Sequence, residues 1–300
     1  MNDIIVTYPN KTNRSFYSEN EINGFIIGIK NYSENFNYYV AESSLKSTIE
    51  EINKKNIKSY IMLNKVYFND DIDGLIKLLK KISKLDVEAV IFSDIAIFNI
   101  VKENNLDINL ILSNKMVTNS RSINFYEKRG LYGYITTPEI TIDEFIDISK
   151  NTSSKAFVKL FGYNNMATSS RALITNYFKY IKSDKDPSKK YYMHEKISDE
   201  FYPIIEDGNT NFFSSKIMNG LKEYKKLINN NINCTIILDD YLIEENAFYN
   251  IIEAFVALKN HPDDDSFADK LKQVIDTNLF NNTDDGFLNK KTIFKVKKDE

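Results

Sequence analysis

Residues Lys155–Phe178 read KAFVKLFGYNNMATSSRALITNYF. The first part, KAFVKLFGY, is a short apolar run carried by aromatic and aliphatic residues, too short for a helix and typical of a buried strand. At Gly162 it breaks into a polar segment where Asn164, Asn165, Ser169, Ser170, Arg171, Asn176 and Tyr177 crowd together. A strand whose carboxyl end opens into clustered polar side chains is where open-sheet and barrel α/β proteins hold their ligands.

The same kind of run recurs along the chain. Asp3–Thr7, Gly24–Ile29, Ser59–Leu63, Ala89–Phe92, Ile108–Leu112, Tyr132–Thr136 and Cys234–Leu238 join Ala156–Gly162 as expected strands. Helical patterns lie between them, over Leu45–Lys55, Ile72–Leu85, Ser120–Arg129, Ile142–Ser149, Ser214–Asn229 and Glu244–Leu258. In the second of these, Ile72, Leu75, Ile76, Leu79 and Ile82 share one face. Alternating strands and helices are the signature of parallel βαβ units. Eight strands in a chain of 300 residues, with no glycine-rich dinucleotide fingerprint after DIIVT, predict a (β/α)8 TIM-type barrel over residues 1–260. The interval Tyr163–Asn233 breaks the rhythm. Within it Tyr191–Phe213 alternates aromatic and polar residues and carries Asp207-Gly208-Asn209, a hairpin signal. The expectation is a β-hairpin excursion, 184–213, inserted over the barrel mouth, with Asp184–Lys190 as its tip. Residues 261–300 form a C-terminal appendage: a helix over Asp264–Thr277, then GFLNKKTIFKVK, which alternates like a strand and is expected to pair with the hairpin.

Composition narrows the function classes. A net charge of -3 and a pI of 5.7 argue against nonspecific, charge-driven binding of nucleic acid, while leaving room for a local basic patch. There is no basic-then-apolar leader and no run of eighteen apolar residues, so neither a secretory signal nor a membrane span is expected, and a cytoplasmic protein follows. Cys234 is the single cysteine and lies in the apolar run CTIIL, which favours a small buried hydrophobe over a reactive thiol. His194 and His261 stand far apart without companions at metal-ligand spacing, so no metal site is expected. G-x-S-x-G, HExxH and P-loop patterns are missing, and no catalytic residue is assigned.

What remains are polar groups at the carboxyl ends of strands: Asp94, Ser113, Asn114, Glu139, Asp239 and Asp240. A closed barrel would bring them to one mouth. Each is also a plausible helix N-cap or loop residue. Lys159 sits inside the seventh strand. It either points into the barrel, where an acid or an anionic ligand must pair with it, or lies outside and snorkels past a helix. Arg171 follows the small polar run ATSS. A guanidinium there suits bidentate recognition of a carboxylate or phosphate, or a salt bridge to Glu206 or Asp207. Asn114, Glu139, Lys159, Arg171 and Asp239 are therefore the ligand-binding candidates.

Several stretches carry a family likeness: SNKMVTNSRSINFYEKRGL, TTPEITIDEF, FGYNNMATSSRALITNYF, YPIIEDGNTNFFSSKIMNG and the closing DDGFLNKKTIFKVK. In these the chain resembles the bacterial peptidase U32, or collagenase-like protease, family, and most of all its shorter Firmicutes-type members. The resemblance implies a role in hydroxylating the wobble uridine of tRNA with prephenate-derived chemistry. The family label implies a peptidase or hydrolase instead, and a noncatalytic small-molecule-binding subunit is a third alternative. Longer family members ligate a [4Fe–4S] cluster through four cysteines after the seventh strand. Here that stretch, FGYNNMATSSRALI, has none. No iron–sulfur cluster is expected on this chain alone, and the resemblance implies a cluster-bearing U32-family partner, a tRNA partner and a prephenate-like ligand.

Overall fold

The computed structural model describes residues 2–10, 22–262 and 265–290, with Asp265 described in its backbone only. Eight parallel strands close on themselves. They are β1 (Asp3–Thr7), β2 (Gly24–Ile29), β4 (Lys58–Leu63), β5 (Ala89–Phe92), β6 (Leu110–Ser113), β7 (Gly133–Ile135), β8 (Lys155–Gly162) and β14 (Cys234–Leu238). Each pairs with the next in this order, and β14 pairs with both β8 and β1, which removes every edge. The two-residue strand β3 (Tyr39–Val40) adds to β2 off this ring. The (β/α)8 barrel expected from the alternation is the fold, and each strand begins within two residues of its expected start.

The period of two decides what fills the barrel. Ile5, Ile26, Tyr60, Ile91, Ile111, Ile135, Phe157 and Ile237 form one buried cluster inside it. Their neighbours Ile4, Phe25, Ile61, Val90, Leu112, Val158 and Ile236 belong to the outer core, with Ile49, Leu75, Leu79, Phe145 and Phe255 of the surrounding helices. Alternate residues of a strand face opposite sides, so a barrel strand needs apolar residues on both. Burying each of these side chains stabilises the fold by about 1.5–3 kcal/mol. At the amino-terminal end of the strands, Glu88 pairs with Lys155 at 3.2 Å and Lys58 at 3.6 Å and accepts from the Tyr132 hydroxyl. That end of a barrel serves stability rather than ligand binding.

The structure adds helices at Ile95–Glu103 and Leu173–Tyr180 that no expectation covered. The first has buried residues at Ile97, Phe98, Ile100 and Val101, too apolar all round for a clear one-sided stripe. Asp94 is its N-cap: its Oδ1 accepts from the Ala96 N–H at 2.9 Å. The helix expected from Ser214 is split. Ile217–Asn219 is strand β13, antiparallel to the end of β8, and the helix runs only over Leu221–Asn229.

The excursion is larger than a hairpin. Strands β10 (Tyr191–Glu195), β11 (Glu200–Asp207), β12 (Asn209–Phe213) and β9 (Asn165–Ser169) form a second, antiparallel sheet in that order. It starts at Asn165, ahead of the expected 184–213, because the polar run after Gly162 pairs with β12 instead of forming a loop. The β11–β12 turn is at Gly208, whose φ of +74° favours glycine. At the C-terminus the helix covers Asp265–Asn278. Strand β15 (Thr283–Asp284) then pairs in parallel with β13 of the barrel sheet, not with the hairpin. Gly286–Lys290, expected as strand, is turn, entered through a Gly286 N–H bond to Asp284 Oδ1 at 2.9 Å. The rest of GFLNKKTIFKVK lies outside the described residues.

Candidate functional site at the barrel mouth

The inward parity that places Ile5, Phe157 and Ile237 in the barrel continues upward to Thr7, Lys159 and Asp239. All three line a cavity of about 220 Å³ at the carboxyl ends of the strands. Lys159 thus points into the barrel, which settles the two alternatives left open by its sequence. Its ammonium donates to Asp239 Oδ2 and to the Tyr163 carbonyl, both at 2.6 Å. About a fifth of each side chain of the pair remains exposed. Asp239 is held in turn by the Tyr241 N–H at 3.0 Å. Gly162, on the neighbouring strand, has φ +120°, and a Cβ there would lie 2.6 Å from the Asp239 carbonyl oxygen. The close approach of β8 and β14 that joins Lys159 to Asp239 therefore requires glycine.

The next residue, Asp240, accepts from the Thr7 hydroxyl at 2.6 Å, tying the ends of β14 and β1 together. Burial pushes its carboxyl up to about 6, against the pull of the Thr7 hydrogen bond and with the Asp239 charge adding to the rise. Across the mouth stands Glu34, on the loop after β2. Its backbone is clamped by Asn64, with Glu34 N–H to Asn64 Oδ1 at 2.9 Å and Asn64 Nδ2 to the Glu34 carbonyl at 3.1 Å. Its carboxylate accepts from the Asn209 amide at the tip of the second sheet. Burial holds the Glu34 carboxyl above its ordinary range, outweighing the lowering effect of Asn209 and Lys65. Phe36, Phe213 and Tyr241 supply apolar walls. Asn164 lines the same cavity, and its side-chain oxygen is buried with no hydrogen-bond partner among the described residues.

Of the five candidates, the structure brings Lys159 and Asp239 together. Asn114 stands one residue beyond the cavity-lining Ser113, and its side chain shapes its own turn, donating to the Ser93 carbonyl and accepting from the Met116 N–H. Glu139 is exposed and outside the cavity lining, which the preceding Pro138 joins instead. Arg171 is exposed on the second sheet, beyond the end of β9. It makes no ion pair with Glu206 or Asp207 among the described residues. Glu206 is instead directed at the helix Leu173–Tyr180, whose Ile174 and Thr175 N–H groups it accepts at 2.8 and 3.2 Å. The residues that the sequence did not announce are Thr7, Glu34, Asn64 and Asn209, whereas Asn164 belongs to the polar segment after Gly162. Thr7 had a signal, since it shares the parity of Ile5. Glu34 and Asn209 had none.

The donor set does not fit an iron–sulfur cluster. Cys234 is 5% exposed and belongs to the outer core at the amino-terminal end of β14, the far end from the mouth. Burial pushes its thiol up to about 12, away from the thiolate that iron requires. Among the described residues, no three His, Cys, Asp or Glu side chains are placed to hold a metal ion.

The sequence profile of peptidase family U32 matches residues 17–297. The chain belongs to peptidase family U32. Within that family, it is 26% identical over 237 residues to the tRNA hydroxylation protein P2 of Bacillus subtilis, covering 75% of this chain and 77% of that protein. It is 27% identical over 175 residues to the tRNA hydroxylation protein P of Haemophilus influenzae, covering 54% of this chain and 37% of that longer protein. A solved structure of a U32 peptidase superposes with a TM-score of 0.50 at 9% identity, over 80% of this chain and 92% of that one. That likeness bears on the fold alone. No helix among the described residues is long and apolar enough to cross a membrane.

Proposed function

We propose that this U32 protein takes part in hydroxylating tRNA, and that its barrel mouth holds a small carboxylated metabolite of the prephenate type. The observation that carries the reading is the Lys159–Asp239 pair inside a closed barrel, in a chain whose relatives are named for tRNA hydroxylation. An ammonium at this depth is retained where something anionic must be gripped. Asp239 already neutralises it and Glu34 adds a further acid. A ligand carboxylate would therefore take Lys159 from Asp239, and the displaced acid would keep its Tyr241 N–H.

The resemblance assigns the wobble uridine as the site of hydroxylation and a cluster-bearing U32 relative as partner. Both belong to the proposal. The chain supplies no thiolate at its mouth, so the oxidative step is assigned to the partner and metabolite binding to this chain. For the family's peptidase label, the cavity lining holds neither histidine nor cysteine, so it offers no Ser–His or Cys–His pair.

Mass spectrometry of tRNA nucleosides from a deletion strain tests the reading. The hydroxylated uridine should fall and return when the wild-type chain is restored, while the Lys159→Met variant should restore it poorly. An unchanged nucleoside profile on deletion would overturn it. Calorimetry with prephenate separates the ligand from the pathway: binding to the wild type should be lost in Lys159→Met.

A further inference from the structure

The second sheet does more than roof the barrel. Residues directly opposite in an antiparallel pair share a face. Tyr192 pairs with Pro203 and His194 with Phe201, so these four share the face that continues along β11 to Ile205 and Asp207. Ile205 and Asp207 line a cleft with Glu34 and Tyr241 at the mouth. One face thus covers the barrel at one end and projects past it at the other. The projecting end is aromatic. Tyr192 and Phe201 are each 52% exposed, and the His194 ring is stacked on Phe201 with centroids 4.4 Å apart and planes 9° apart. The Lys190 ammonium lies over the Tyr192 ring at 5.5 Å from its centroid. Burial, and then the nearby Tyr192 phenol, push up the hydroxyl of Tyr163.

Charge runs with it. Arg171, Lys179, Lys182, Lys185, Lys189 and Lys190 are all exposed, against Asp184 and Asp186 in the same stretch, a balance of 6 − 2 = +4 in a chain of net charge -3. The stretch backs the edge strand β10, where Phe178 of its helix packs on Tyr191 from the opposite face. The acids of the ledge are engaged locally. Asp199 lies 2.7 Å from His194 Nε2, Glu200 pairs with Lys216 at 3.8 Å, and Glu195 accepts the Ile197 and Ser198 N–H groups.

We infer that the Tyr192–Phe201 ledge is a stacking platform for single-stranded RNA, with Lys190 and the basic run that leads around the sheet edge into β10 carrying the phosphate backbone. Exposed aromatic rings next to cations that make no ion pair among the described residues are what a single strand requires: every base has a π-face, and every phosphate a charge. Exposed rings are otherwise unfavourable on a sheet edge. The position of the ledge would deliver an unstacked nucleotide towards the mouth. The inference rests on the tRNA reading and specifies which surface of the protein meets the RNA.

Fluorescence anisotropy of the full chain with a labelled ten-nucleotide oligouridylate tests it, with a fully paired RNA hairpin as the second probe. The wild type should bind the oligouridylate more tightly than the hairpin, and more weakly as salt rises. Tyr192→Ala and Phe201→Ala should each weaken binding by about fivefold or more, Tyr192→Phe should bind like the wild type, and the circular dichroism of all three should be unchanged. Binding by the Tyr192→Ala/Phe201→Ala double variant equal to that of the wild type, or no binding of oligouridylate by the wild type, would overturn the proposal. So would a self-associating wild type that ignores RNA and is made monomeric by the same substitutions, since that assigns the ledge to protein contact. The two readings fail separately. A deletion strain with unaltered tRNA nucleosides would remove the hydroxylation role and leave oligouridylate binding standing.

Discussion

Single residues at the mouth carry opposing demands. Lys159 and Asp239 are partly desolvated, so removing one leaves the other short of its partner. Lys159→Met should cost about 1–3 kcal/mol, between the values for exposed and for fully buried pairs. The Lys159→Met/Asp239→Asn double variant should recover part of that loss in a denaturant cycle, and strictly additive losses would show that the pair is not coupled. Gly162→Ala places a methyl group against the Asp239 carbonyl at a φ of +120°. It should lower the urea midpoint by the equivalent of about 1–3 kcal/mol. Asp240 contributes in the other direction. Its folded carboxyl titrates near 6, against an ordinary value of 3.8. Between those values the native state binds more protons than the unfolded chain, so stability falls as pH rises through the window. Asp240→Asn should therefore match the wild type near the bottom of the window and exceed it by up to about 3 kcal/mol above the top. Urea titrations at both ends check this, and an unchanged pH slope would show that Asp240 is not the responsible group.

At the scale of elements, the second sheet and the helix Leu173–Tyr180 hold each other in place. The helix has no side-chain cap from its own N-cap residue, Ala172. Glu206, on β11, takes that part from across the sheet and also accepts from the Thr175 hydroxyl. Burial raises the Glu206 carboxyl, but these hydrogen bonds outweigh it and hold it low. Glu206→Ala should make the amides of residues 173–180 exchange faster, by the equivalent of about 1–2 kcal/mol, with the barrel strands unaffected. Slowed or unchanged exchange in that helix would count against the cap. The contrast with helix Ile142–Lys150 is informative. There Thr141 and Glu144 form a capping box three residues apart, visible in the sequence TIDE. A cap borrowed from another strand leaves no such trace.

At the scale of the molecule, the barrel separates its ion-pair cluster from the candidate cavity by end. The Glu88–Lys155–Lys58 ion pairs occupy the amino-terminal ends of the strands and the Lys159–Asp239–Glu34 cavity the carboxyl-terminal ends. The single thiol lies at the wrong end and in the outer core. Anaerobic reconstitution with iron and sulfide should therefore leave the purified chain without cluster absorption, and stoichiometric iron bound to it would refute this assignment of the oxidative step to a partner.

The barrel was legible because its determinants are local and repeated. Eight short apolar runs separated by amphipathic ones admit few closed arrangements, and the runs themselves mark the strands. In β8, Ala156, Val158 and Leu160 alternate with Phe157, Lys159 and Phe161, and both sets are apolar apart from the lysine. Strands buried on both faces lose the alternation that would orient them. Only closure of the barrel decided that Lys159 points inward and meets Asp239, eighty positions along the chain. The contact between Glu34 and Asn209 spans 175 positions and depends on where the second sheet folds back. Strand formation follows from a residue's immediate neighbours, and so it can be read in order along the chain. A site formed where distant loops meet depends on the path between them, and that path exists only once the barrel has closed.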